Sequence, residues 1–271
     1  MIPRLCLFAL LAAFPAVAWA QTILLASTTS VENSGLLRHI LPIFTRTTGI
    51  EVRVIAQGTG QALATAAHGD ADLVLVHDPE AEQAFMDAGH GLTRQEIAWN
   101  DFIVVGPSAD PAHIGGLRDA TEALMAIATA RTAFVSRGDK SGTDALEKRL
   151  WKAAGLDPAR FEGSWYRDIG GGMGAALNTA AAMDAYTLSD RGTWLSFNNK
   201  RGLRIVLEGD RRLINRYDVI LLHPKTHPRA QQAPSRRLAE WLASAEGQGA
   251  IGGFTVAGQT LFHPVADPKP E

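Results

Sequence analysis

From residue 22 onward, short apolar runs alternate with segments in which apolar residues recur at helical spacing. Leu36, Leu37, Ile40, Leu41 and Phe44 fall on one face of a helix, whereas residues 50–56 alternate between polar and apolar as a strand does. The same reading predicts strands at 22–26, 72–77, 101–105, 132–136, 165–169, 185–188, 203–207 and 217–222. Helices are predicted at 61–68, 117–129, 143–154, 173–183 and 235–245, and one opening at Pro79 and running to Ala88 before Gly89 stops it. Strands separated by helices predict an α/β fold, with mostly parallel sheets flanked by helices. Two long strand-like runs, at 99–105 and 213–222, end in Gly106-Pro107-Ser108 and His223-Pro224, which suggests that the chain crosses twice between two lobes. On this reading residues 21–103 and 218–271 make lobe 1 and residues 104–217 make lobe 2. Ligands of such folds sit in the crevice where strand ends and helix starts converge.

One apolar run is of a different kind. Leu5 to Ala18 is too short for a spanning helix and lies behind a single Arg4. With Ala18-Trp19-Ala20 before Gln21, it predicts a signal peptide over 1–20, cleaved after Ala20, and a soluble periplasmic product. Cys6 is the only cysteine and would be lost with it, so no disulfide is expected and the fold must be held by its core. The composition, with 46% hydrophobic and 20% charged residues, excludes collagenous, coiled-coil and wholly disordered chains. A formal net charge of −2 gives no general attraction to nucleic acid or to an anionic membrane.

The candidate chemistry lies in three polar strand-to-helix turns: Ala26-Ser27-Thr28-Thr29-Ser30, Gln57-Gly58-Thr59-Gly60, and Ser136-Arg137-Gly138-Asp139-Lys140-Ser141-Gly142-Thr143. Each brings hydroxyls and backbone N–H groups to a helix N-terminus, where four N–H groups lack intrahelical partners and the dipole is positive. Glycine lets an anion approach the backbone closely, so the combination is an oxyanion-site pattern. The plain alternative is helix capping, which Ser141-Gly142-Thr143-Asp144 also fits. Arg137 adds a permanent cation that capping does not need, with a salt bridge to Asp139 as its alternative role. Gly170-Gly171-Gly172-Met173-Gly174-Ala175 imitates a dinucleotide fingerprint but lies mid-chain, and is better read as another tight start to a helix facing the cleft. His223 and His227 are spaced i, i+4, but Pro224 and Pro228 preclude a regular helix and hence the zinc geometry. No metal site and no catalytic motif is expected. A secreted hydrolase using Ser30 or Ser141 would need a positioned base, and no motif supplies one; His39 and His68 read as surface residues.

These turns, with Gly172-Met173-Gly174 and Ala185-Tyr186-Thr187-Leu188-Ser189-Asp190-Arg191-Gly192-Thr193, resemble in order those of the tungstate-binding components of ABC transporters, the TupA type. The resemblance runs over nearly the whole chain after the leader. The S-R-G-D-x-S-G-T turn is its most specific part, and the first turn reads Ser-Thr-Thr-Ser where Thr-Thr-Thr-Ser is expected. The resemblance implies a two-lobed type II periplasmic-binding fold, and a monomer that closes on tungstate and delivers it to a membrane permease worked by a cytoplasmic ATPase. It implies no cofactor and no enzymatic activity. By position, it places the ligand residues at Thr29, Ser30, Thr59, Arg137, Ser141, Gly142 and Thr143, leaving open whether Thr28 or Thr29 faces the ligand. Molybdate, sulfate and phosphate are the alternative ligands. Molybdate is the hardest to separate, because it shares tungstate's shape and charge.

Overall fold

In the computed structural model, residues 21–161 and 163–269 are described; the expected leader, with Cys6 and Ala18-Trp19-Ala20, lies outside them. The first stretch forms β1 (Thr22–Thr28), α1 (Thr29–Ser34), α2 (Leu36–Thr48), β2 (Glu51–Gln57), α3 (Thr59–His68), β3 (Leu73–Val76), α4 (Pro79–Asp87) and β4 (Gly91–Pro107). There follow α5 (Ala120–Ala130), β5 (Phe134–Ser136), α6 (Gly142–Ala153), β6 (Tyr166–Asp168), α7 (Met173–Met183), β7 (Tyr186–Asp190), α8 (Arg191–Ser196) and β8 (Leu203–Leu207). The chain ends with β9 (Ile214–Leu222), α9 (Gln232–Ala243), α10 (Ala245–Gly252) and the small hairpin β10 (Thr255–Val256) and β11 (Gln259–Thr260).

The main sheet runs β2-β1-β3-β9-β4-β7-β5-β6, with β8 also paired to β4. At its two ends the pairs are parallel, β1 with β2 and β3, and β5 with β6 and β7. Helices supply those crossovers, as parallel pairing requires. In the middle, β9 runs antiparallel to β3 and β4, and β4 runs antiparallel to β7 and β8. Strand β4 joins the two ends: Gly91 to Asp101 pairs with β9, and Phe102 onward pairs with β7.

The alternation of strand side chains sorts the core into layers. Leu73 and Leu75 of β3 and Val219 and Leu221 of β9 enter one cluster with the α2 stripe Leu36, Leu37, Ile40, Leu41 and Phe44. Val74, Val76, Ile220 and Leu222 point to the opposite face and pack on Ala62, Leu63 and Ala66 of α3. In the second half, Phe102 and Val104 join α5 and Trp151 of α6, while Ile103 and Val105 join α7. Core membership therefore changes hands between Ala98 and Phe102, and again between Leu213 and Tyr217. Two separately packed cores, one at each end of the sheet, thus form two lobes, as expected. Strand β3 is buried along its whole length, which is why its apolar run is unbroken.

Candidate functional site

All three polar turns lie at C-terminal ends of strands, because β1, β2 and β5 each run directly into the turn before α1, α3 or α6. Thr28 ends β1 and is buried; its hydroxyl accepts the N–H of Val31 at 3.2 Å, capping α1. Thr29 and Ser30, one residue further on, are exposed and line a cavity of about 510 Å³. Arg137, Gly172, Met173, Gly174, Asp190 and Thr193 form the facing wall of that cavity. The cavity is therefore walled by the first lobe's opening turn and by three segments of the second lobe.

The third turn is shaped by its aspartate and glycines. Gly138 has φ of +60°, and a Cβ there would collide with the Asp168 carboxylate, so glycine is needed on both counts. Asp139 accepts the Arg137 Nε at 3.2 Å and Nη2 at 2.5 Å on one oxygen, and the Ser141 N–H at 3.1 Å on the other. Arg137 Nη1 donates to Thr143 Oγ1 at 3.3 Å. Arg137 and Asp139 side chains are only 15% and 20% exposed, so the guanidinium is held in one orientation beside the cavity. Burial pushes the Asp139 carboxyl upward, but hydrogen bonds from Ser141 and Arg137 outweigh it and hold it below its ordinary range. Ser141 caps α6 by accepting the Asp144 N–H at 3.3 Å. The salt bridge and the cap foreseen as plain alternatives are therefore both present, and Arg137 still lines the cavity.

Thr59 and Gly142 bring the second and third turns together. A Cβ built on Gly142 would stand 4.0 Å from Thr59 Oγ1 and 3.4 Å from His77 Cε1, ordinary contact distances, so the start of α6 lies directly against Thr59 and His77. Helices α3 and α7 begin at Gly58 and Gly172, which have no side chain to cap the first N–H groups. Of the expected residues, Thr29, Ser30 and Arg137 thus line this cavity, whereas Thr59, Ser141, Gly142 and Thr143 do not, although Thr143 bonds Arg137 and Gly142 lies near Thr59. Ser141 is engaged as a cap.

His77 was not foreseen. It follows β3, and its Nε2 lies 2.9 Å from Ser30 Oγ and 3.2 Å from Thr28 Oγ1. Its Nδ1 lies 3.1 Å from Asn215 Oδ1, while Asn215 Nδ2 donates to Asn100 Oδ1 at 2.9 Å and to Tyr217 Oη at 2.7 Å. A polar residue ending an otherwise apolar strand was the available signal. His39 and His68 are exposed. His227 is buried, with Nε2 at 3.1 Å from His90 Nδ1, and among the described residues no group of three or more His, Cys, Asp or Glu side chains could hold a metal.

Comparison with known proteins places this geometry. The model of the PBP superfamily domain matches residues 15–246. The tungstate-binding protein TupA of Peptoclostridium acidaminophilum is 43% identical over 249 residues, which is 90% of this chain and 86% of that one. The chain belongs to the TupA family of the PBP superfamily. Another member, TupA of Campylobacter jejuni, is 35% identical over 237 residues, 86% of this chain and 87% of its own. The solved structure of the tungstate-binding TupA from Desulfovibrio alaskensis G20 gives a TM-score of 0.85 at 42% identity, covering 92% of this chain and all of that one. The family consists of solute-binding proteins of transporters, not enzymes. Among the described residues no helix is long and apolar enough to cross a membrane.

Proposed function

We propose that the protein is the periplasmic tungstate-binding component of an ABC transporter, holding the oxyanion between Thr29, Ser30, Thr59, Arg137, Ser141, Gly142 and Thr143. Lobe 1 is 21–103 with 218–271, lobe 2 is 104–217, and the leader 1–20 is removed after Ala20. Export, delivery to a permease and its ATPase, and action as a monomer belong to the same proposal.

One observation carries the ligand assignment: hydroxyl donors of one lobe and a fixed guanidinium of the other face a common cavity. A dianion stripped of water must recover many hydrogen bonds, and charge-assisted ones are about twice as strong as neutral ones. The carboxylates nearby are already engaged. Asp139 accepts Arg137 and Ser141, and Asp190 accepts the Thr193 N–H and hydroxyl, each at 2.7 Å. Hydroxyls and one guanidinium make the proposed ligand set donor-rich, which favours tungstate, molybdate and sulfate over hydrogen phosphate, whose proton needs an acceptor. The 43% identity to a tungstate-binding protein selects tungstate among them. Calorimetric titration with tungstate, molybdate, sulfate and phosphate should give micromolar or tighter binding of tungstate and the weakest heat with phosphate. Phosphate binding as tightly as tungstate would overturn the assignment.

A further inference from the structure

His77 touches both hydroxyls that close the first turn, yet neither helix capping nor donation to an anion calls for an imidazole there. Its tautomer follows from its neighbours. Asn215 Nδ2 is committed to Asn100 Oδ1 and Tyr217 Oη, so Asn215 presents only its carbonyl oxygen to the ring. His77 Nδ1 must then carry the proton, and in the neutral ring Nε2 is left as a bare acceptor. Asn100 and Asn215 face each other in the β4–β9 register, so the ring is anchored on the two strands that join the lobes.

Thr28, Ser30 and Nε2 form a triangle with sides of 2.9, 2.9 and 3.2 Å holding two hydroxyl protons. With Nε2 bare, the two protons serve the two shortest sides, Thr28 donating to Ser30 and Ser30 to Nε2, so in the neutral state the Ser30 proton is turned toward the ring and away from the cavity. We propose that His77 is a positioning residue of the oxyanion site, setting the direction of the Thr28 and Ser30 hydroxyls and taking up one solvent proton when a dianion is captured. Once protonated, Nε2–H donates to Thr28, Thr28 donates to Ser30, and Ser30 donates to the anion. The imidazolium then places a second cation behind the site. This proposal rests on the reading of the cavity as an oxyanion site.

The charges facing the ring are consistent with this linkage. Burial holds His77 below the ordinary imidazole range, against the Asn215 hydrogen bond and the nearby charges of Asp78 and Asp190. Arg149 of α6, with Arg212 and Arg216, lines the small adjoining cavity of about 180 Å³ that the ring shares. Each of these cations is paired with carboxylates, Arg149 with Asp78 and Glu80, Arg212 with Asp119 and Asp210, and Arg216 with Glu96, so burial is what disfavours the imidazolium when no anion is present. A bound dianion works the other way, so affinity should rise as pH falls through the range between the free and bound pKa values.

The test is NMR of protein with 15N-labelled histidine, with and without saturating tungstate, combined with calorimetry of wild type and His77→Gln from pH 5.5 to 8.5. The expected spectrum is a neutral Nδ1–H ring without ligand, whose titration midpoint moves up on adding tungstate. His77→Gln retains an acceptor but cannot titrate. It should bind more weakly than wild type even at pH 8.5, as loss of the positioning contacts requires, and lose most of the tightening that wild type shows toward pH 5.5. An Nε2–H ring, or a midpoint unmoved by bound tungstate, would overturn the proposal while leaving the site assignment intact. If tungstate does not bind wild type, or binds Arg137→Ala equally well, the site reading itself fails.

Discussion

Gly138 is the residue on which the arginine turn depends most. Its positive φ and its contact with the Asp168 carboxylate leave no room for a Cβ, and Asp168 Oδ1 also accepts the Gly170 N–H at 3.1 Å. Gly138→Ala should destabilise the fold by about 1–3 kcal/mol, as residues forced into sparsely populated backbone regions do, and should weaken tungstate binding at temperatures where the variant remains folded. Thermal unfolding and calorimetry measure the two effects separately, and unchanged values in both would contradict the account of this turn. The turn was legible in the sequence because Ser, Arg, Gly, Asp and Thr types carry their chemistry locally. His77 was not legible, because its partners Thr28, Ser30 and Asn215 are 49, 47 and 138 positions away.

Helix α6 carries a titratable group that the site chemistry does not need. Glu147 is buried beneath the arginine turn, accepting Trp151 Nε1 at 3.1 Å and Tyr166 Oη at 2.9 Å. Burial pushes its carboxyl up to about 7 despite those hydrogen bonds. A carboxyl whose folded pKa lies above its unfolded value binds more protons in the native state between the two. Its contribution to stability is therefore complete below about 4.5 and declines as pH rises toward 7 and beyond. Glu147→Gln, which keeps an acceptor for both donors, should raise stability at pH 8 by on the order of 1 kcal/mol and leave it nearly unchanged at pH 4. Thermal melts at the two pH values check this, and an equal shift at both would remove the titration argument. At this scale the strongly periodic elements were readable, α2 and β3 above all. Strand β4 was read only from residue 99 to 105, because its first half, with Thr93, Arg94, Gln95 and Glu96, lacks a continuous apolar run and owes its strand form to pairing with β9. The six-residue helices α1 and α8 are too short to show a period.

Across the whole molecule, the crossing at β4 and β9 lets two separately packed cores share one sheet, and the proposed ligand residues stand on both sides of it. Arg149 of α6 lies 3.9 Å from both Asp78 and Glu80 at the start of α4, so the lobes also meet through charges at the cleft edge. Small-angle scattering should show a smaller radius of gyration with saturating tungstate than without it, because one dianion can touch both sets of donors only when the cleft is shut. Identical curves would contradict closure. The alternation of strands and helices and the two crossing runs were visible from the amino-acid pattern, since both depend on local periodicity. The antiparallel middle of the sheet was not, because strand direction is set by long-range pairing of β9 between β3 and β4. The central claim concerns Arg137, the charged donor fork of the site, and calorimetric titration of Arg137→Ala with tungstate tests it most directly. Hydrogen bonds to charged groups are worth about 1.5–3 kcal/mol each, so a folded Arg137→Ala protein should bind at least about tenfold more weakly than wild type. Wild-type affinity in that folded variant would show that Arg137 serves only its pairing with Asp139, and would contradict the account.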